Sequence, residues 1–320
     1  MAKRPTIILT GASKGIGLAT VKILLAEPFS ANVITLSRST SPDLQELAKS
    51  YPEQLRVHEG DVTKDEDNET VVKSAIDKFG TLDGKNPMCS RISSPPDQSI
   101  FSLLDHHLSG LILNAGIMEL GRISETSMDS WKRVFEVNFF SLLSILHLAI
   151  PHLRTSKGRV VFVSSGASVS KVAGLQLHKI KFIRIRPVSD HRLLLTNAAT
   201  SHTAGMKLRW ASYNTSKAAM NSLARTLANE EPELTSIAVR PGVVDTDMQV
   251  HLREHGSKDM KAEELDKHLK LHANNQLLPP SKPGYVIAAL SINTPIHLNG
   301  EFLSWDSAEL SDLTLSIPGK

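Results

Sequence analysis

The sequence predicts an α/β protein: one parallel sheet of about seven strands, doubly wound, with helices on both faces. Three observations predict it. Short apolar runs of strand length alternate with longer segments of helical periodicity. A glycine-rich turn joins the first run to the first helix. With 320 residues, 41% hydrophobic and 22% charged, the chain can also bury a substantial core as a single large domain.

The elements follow in order. Thr6-Ile-Ile-Leu9 is the first strand, and the helix after the turn carries Ile16, Ala19, Val21, Ile23 and Leu24. Asn32-Val-Ile-Thr-Leu36 and Leu55-Arg-Val-His-Glu59 are the second and third strands. Asp65 to Phe79 is a helix with Val71, Val72, Ala75, Ile76 and Phe79 on its buried side. Leu111-Ile-Leu-Asn114 forms the fourth strand, followed by a long helix at about Met128 to His152. Arg159 to Ser164 is the fifth strand. A helix from Tyr213 to about Asn229 places Ala219, Leu223 and Leu227 at helical spacing, and Ser236-Ile-Ala-Val-Arg240 is a sixth strand.

Two segments interrupt this rhythm, at 85–109 and 175–209. Structureless loops of about 25 and 35 residues are uncommon inside a compact domain, so both read as insertions into a fold of about 260 residues. Two origins remain open. Gly84-Lys85 can be encoded by GGTAAG, which contains a donor-like GTAAG, so the segments could be translated intron sequence; alternatively they are genuine surface insertions. Sequencing the transcript separates the two.

Composition narrows the function classes. The net charge of +3 arises from 175–209, which holds seven Lys/Arg and one acid, so the rest of the chain is net acidic and no basic nucleic-acid-binding face is expected. No signal peptide is read at the N-terminus, and no stretch is read as the roughly 18 to 20 apolar residues of a membrane span. The one cysteine, Cys89, has no partner in the chain for a disulfide, which points to a reducing compartment, by default the cytoplasm. His251 and His255 stand four apart, but no third ligand accompanies them and no metal site is assigned.

Two constellations carry chemistry. Gly11-Ala-Ser-Lys-Gly15-Ile-Gly17 lies between the first strand and first helix, where backbone N–H groups and a helix N-terminus can meet a pyrophosphate. Tyr213 and Lys217 stand one helical turn apart, so an ammonium can sit beside the phenol and ease transfer of its proton. Cofactor choice follows from charge. The second strand runs into Ser37-Arg38-Ser39 without the acid that holds a ribose 2′-hydroxyl in an NAD site. Arg38, Lys14 and two hydroxyls suit a 2′-phosphate instead, and hence NADP(H).

Thr10 to Gly17, Asp61-Val62, Asn114-Ala-Gly116, Asn138, Ser165, Tyr213-x-x-x-Lys217 and Pro241-Gly242 through Thr246 occur in an order that resembles the short-chain dehydrogenase/reductase family. The resemblance covers nearly all of the chain outside the two insertions and implies a Rossmann-type fold. Phe162 to Ser168, Arg240 to Thr246 and Phe302 to Asp306 resemble fungal reductases of the sepiapterin-reductase-like and benzil-reductase-like group.

The resemblance implies roles residue by residue. Tyr213 protonates the substrate oxygen, Lys217 lowers the tyrosine pKa and holds the nicotinamide ribose, and Ser165 donates a hydrogen bond to the carbonyl oxygen. Ser164 is the competing serine. Asn138 holds a water that relays protons to Lys217. Gly11, Ser13, Lys14, Gly15, Ile16 and Gly17 hold the pyrophosphate side of the cofactor, Asp61 and Val62 flank adenine, and Asn114, Ala115 and Gly116 line the groove. Pro241, Gly242, Val244 and Thr246 close the nicotinamide end, and Asp247 to Leu271 forms a substrate lid. The implied activity is NADPH-dependent reduction of a ketone, diketone or pterin-like carbonyl by a homodimer or homotetramer. The alternative is a cofactor-binding, catalytically impaired member, either an interaction partner or a mis-spliced product, because Ser165 and Tyr213 are 48 positions apart where family members have about a dozen.

Overall fold

The computed structural model describes residues 4–79, 108–169, 210–258, 260 and 262–317. Seven parallel strands form one sheet in the order β3-β2-β1-β4-β5-β6-β7. In chain order the elements are β1 (Thr6–Thr10), α1 (Gly15–Leu25), β2 (Asn32–Ser37), α2 (Pro42–Ser50), β3 (Leu55–Glu59), α3 (Asp65–Phe79) and β4 (Gly110–Leu113). Then come α4 (Met128–Phe135), a π-helical turn (Glu136–Phe140), α5 (Ser141–Ser156), β5 (Arg159–Val163), α6 (Ala211–Glu230) and β6 (Thr235–Arg240). The chain closes with α7 (Asp247–His255), α8 (Ala262–Ala273), α9 (Ser281–Asn293), β7 (Phe302–Ser304) and α10 (Ser311–Leu315).

Strand side chains divide between two cores by the period of two. Ile7, Leu9, Ile112, Val161 and Ile237 pack with α1 and α9 on one face. Ile8, Leu111, Val160, Phe162 and Ala238 pack with α3, α5 and α6 on the other. The strand order reverses between β1 and β4, so their C-terminal ends open the crevice where such sheets bind ligands.

All six strands and four helices read from the sequence are present, with additions. Pro42–Ser50 is helical, capped by Ser41, whose hydroxyl accepts from Leu44 N at 3.3 Å. Helix α9 is apolar on nearly every side and buried between α1 and the sheet, so its sequence lacked the amphipathic signature of a surface helix.

The first insertion ends earlier than its predicted limit. Leu108 is fully buried, Ser109 N donates to Thr6 O at 2.8 Å, and Arg159 N donates to Ser109 O at 3.0 Å, so Ser109 already bonds to both strands that flank β4. The rest of that segment and all of 175–209 lie outside the described residues, as does Cys89.

A second correction concerns hydropathy. Met128–Ser156 is one continuous helical stretch of 29 residues, long and apolar enough to cross a membrane by length and composition. Its inner side chains, Leu142, Ile145, Leu146, Ala149 and Leu153, belong to the core against the sheet.

Candidate active site

The crevice at the β1/β4 reversal holds a cleft of about 360 Å³. Every residue expected to bind cofactor lines it, and so do Ser165, Tyr213 and Lys217. The glycine turn shows why its spacing is needed. Gly11 has φ +73°, and a Cβ there would lie 2.9 Å from Ala115 Cα. A Cβ on Gly17 would stand 2.0 Å from Gly11 O, so the first turn of α1 can close on the loop only with glycine.

Thr10 and Asn114 tie this loop to β4. Thr10 Oγ1 accepts from the backbone N–H groups of Asn114 and Ala115, each at 3.1 Å. The Asn114 amide donates to Thr10 O at 3.0 Å and Gly11 O at 2.9 Å. Asn114 thus fixes the cradle as well as lining it. Beyond the end of β3, Asp61 Oδ1 accepts from Thr63 N at 3.0 Å and Thr63 Oγ1 at 2.9 Å, and the Asn68 amide holds Val62 O at 2.9 Å.

Two residues proposed for a 2′-phosphate have other partners. Ser37 Oγ is buried and accepts from Ala12 N at 2.7 Å, so this hydroxyl serves the glycine loop. Lys14 Nζ pairs with Asp247 Oδ2 at 2.6 Å, bridging the glycine loop to the N-terminus of α7. Arg38 and Ser39 are exposed at the end of β2 and line the cleft.

The reactive end is built by α6 and β5. Ser165 makes a side-chain hydrogen bond with the buried Tyr213, and its Oγ accepts from Ala167 N at 3.1 Å. Ser164, the competing serine, turns its hydroxyl to Asn221 Oδ1 at 2.5 Å. Lys217 Nζ is buried, donates to Val163 O at 2.8 Å, and lies 6.0 Å from the Tyr213 ring centre.

The electrostatics differ from the expectation that Lys217 lowers the phenol pKa. Burial raises the Tyr213 pKa above its ordinary value, and the Ser165 hydrogen bond counteracts this. Lys217 is itself lowered to about 7 by desolvation, so at neutral pH it is only partly charged.

Asn138 lies behind the cleft, fully buried in the π-helical turn. Its Oδ1 accepts from Ile117 N at 2.8 Å, while Nδ2 donates to Ile117 O at 2.9 Å and Ser216 Oγ at 3.0 Å. The side chain expected to hold a relay water is engaged in joining the β4 loop to α6. Asn138 thus sits buried within a π bulge, a feature frequent at functional sites.

The expected lid corresponds to α7 and α8, which contribute Met248, Gln249 and His268 to the cleft. His268 Nδ1 and Gln249 Oε1 are 3.1 Å apart, and the His268 ring lies 6.4 Å from Trp210. Sequence reasoning missed Trp210 and His268. Trp210 adjoins the 175–209 segment, and His268 has the helical spacing of any amphipathic helix, so neither carried a distinguishing motif. His251 and His255 stack with ring centres 4.4 Å apart, and among the described residues no group of three or more His, Cys, Asp or Glu is placed to hold a metal.

The sequence profile of the short chain dehydrogenase family matches residues 5–84, 99–177 and 198–257. This chain is a short-chain dehydrogenase. The two stretches that the profile passes over lie within 85–109 and 175–209. An uncharacterised oxidoreductase of Schizosaccharomyces pombe is 35% identical to this dehydrogenase, covering 94% of this chain and 96% of its own. A benzil reductase ((S)-benzoin forming) of Saccharomyces cerevisiae is 31% identical, covering 95% and 97%. Among solved structures, a short-chain dehydrogenase/reductase of Saccharomyces cerevisiae superposes with a TM-score of 0.74 at 31% identity, covering 97% of this dehydrogenase and 99% of that chain.

Proposed function

We propose that this short-chain dehydrogenase is an NADPH-dependent carbonyl reductase acting on ketones or diketones, with pterin-like carbonyls as a further substrate class. The observation that carries the reading is the convergence of Ser165, Tyr213 and Lys217 on the same cleft that the glycine cradle lines. The similarity to a benzil reductase supports a diketone such as benzil.

The glycine loop fits a dinucleotide, because the positions where a Cβ would collide leave backbone open for the approach of a pyrophosphate. A reduced nicotinamide bound there supplies the hydride. Ser165 and Tyr213 hold the carbonyl oxygen by hydrogen bonds, and Tyr213 gives it the proton that completes the alcohol. Lys217 lies under the same site and holds the nicotinamide ribose, and Asn138 positions its surroundings through Ser216 and Ile117. Arg38, aided by Ser39, is the residue for the 2′-phosphate; Lys14 joins it on leaving Asp247.

Trp131, Phe135, Phe139 and Phe140 form an aromatic cluster on α4 and the π-helical turn, with ring centres 5.5 to 6.5 Å apart. Phe140 is 48% exposed, which supports burial of this face in a homodimer or homotetramer. A single cysteine supports work in a reducing compartment, the cytoplasm.

The test is NADPH oxidation with a panel including benzil, repeated with NADH. Tyr213→Phe is expected to lower kcat by about a hundredfold or more while NADPH binding, followed by fluorescence titration, persists. Arg38→Asp is expected to raise the Michaelis constant for NADPH relative to NADH by about tenfold or more. An unchanged cofactor ratio would remove the NADPH assignment.

A further inference from the structure

One buried amide holds both flanks of Ser165. Asn221 lies on α6, one turn beyond Lys217 and on the same buried face as Tyr213. Its Oδ1 accepts from Ser164 Oγ at 2.5 Å, and its Nδ2 donates to Ser168 Oγ at 2.8 Å. Ser168 in turn donates through Oγ to Ser165 O at 2.6 Å and through its backbone N–H to the same oxygen at 3.1 Å. Ser164 N is anchored to Val239 O on β6 at 2.8 Å. The turn that presents Ser165 is therefore closed from the side by a residue of the helix that carries its partner, Tyr213.

We infer that Asn221 is a positioning residue for carbonyl reduction, setting the distance between the Ser165 and Tyr213 hydroxyls by clamping Ser164 and Ser168 to α6. This rests on the proposed roles of Ser165 and Tyr213. Ser165 and Tyr213 are 48 positions apart in the sequence, so the constraint does not come from adjacency along the chain. A lateral tie within the core does supply it. The two ends of the amide act differently. Its carbonyl accepts a hydrogen bond from the Ser164 hydroxyl, and its N–H₂ donates to Ser168 Oγ, which in turn donates to Ser165 O.

The test compares Asn221→Leu, Ser168→Ala, their double variant and Tyr213→Phe with the wild-type chain in diketone reduction. A shift on the scale of an ångström in a reacting constellation costs about a hundredfold in rate. Asn221→Leu should lower kcat by about ten- to a hundredfold. Its Michaelis constant for NADPH should stay within about twofold, because none of the clamped hydroxyls belongs to the glycine cradle. Its pH profile should also move. Ser165 is the group that lowers the Tyr213 pKa, so loosening it shifts the tyrosine limb to higher pH. Ser168→Ala should shift kcat and the pH profile in the same direction, and the double variant should fall less than the product of the two single losses.

Unchanged kcat in both single variants, or loss of kcat with the pH profile unmoved, overturns the inference. Should Asn221→Leu not fold, Ser168→Ala in its half-exposed turn decides alone. Full activity in Tyr213→Phe overturns the proton-donor reading beneath it, a result distinct from failure of Asn221 alone.

Discussion

Lys217 brings an electrostatic cost into the site. A lysine whose pKa falls from 10.5 to about 7 has lost hydration that its hydrogen bond to Val163 O does not replace. The folded state favours the neutral amine, so between about pH 7 and 10.5 the unfolded chain binds more protons and stability rises with pH through this group. The penalty is full below pH 7 and fades toward 10.5. Lys217→Met should therefore raise the Tm of the apoprotein most at pH 6 to 7, with the gain shrinking as pH approaches 10.5. Thermal melts across this range check the sign; a gain that grows with pH would contradict it.

At the scale of elements, the site is a junction of α6, the π-helical turn and the ends of β1, β4 and β5. Successive turns of one α6 face carry Tyr213, Ser216 with Lys217, and Asn221, a polar strip through an otherwise apolar core. Each polar group on it meets a named partner, which is what makes its burial tolerable. Asn138 is the tie from the other side. Asn138→Leu leaves Ile117 N–H and C=O without their side-chain partner and should cost about 1–3 kcal/mol, read as a lower urea midpoint with unchanged m-value. The sequence indicated that Asn138 sits in an apolar helix; the π geometry that aims it at Ile117 was not legible, because a bulge has no residue signature in this stretch.

For the whole molecule, the apolar surface of 128–156 faces two ways. One side fills the core, and the other carries Phe140 and the aromatic cluster. Phe140→Glu is expected to move the protein toward smaller species in light scattering, with the melting profile of the monomeric fold retained. An unchanged mass would mean that this face is not a subunit contact. The two insertions are tested at the same scale. Because Ser165 and Tyr213 already meet, the full chain should reduce diketones; activity confined to a chain lacking both segments would favour the impaired reading.

The six strands and four helices named from the sequence, the glycine cradle and the Tyr213–Lys217 pair were readable in one dimension. Each rests on local periodicity or on a motif whose spacing is fixed by a single turn, whereas Ser165 was expected only from the family resemblance. What required three dimensions was which partner each hydrogen bond goes to. Ser37 serves Ala12, Lys14 serves Asp247, Asn114 serves the glycine loop, and Asn221 joins two hydroxyls more than fifty positions away. The pKa values of Tyr213 and Lys217 followed the same rule. Residue type and spacing brought the pair together, but desolvation, a property of everything packed around them, decided which way each proton leans.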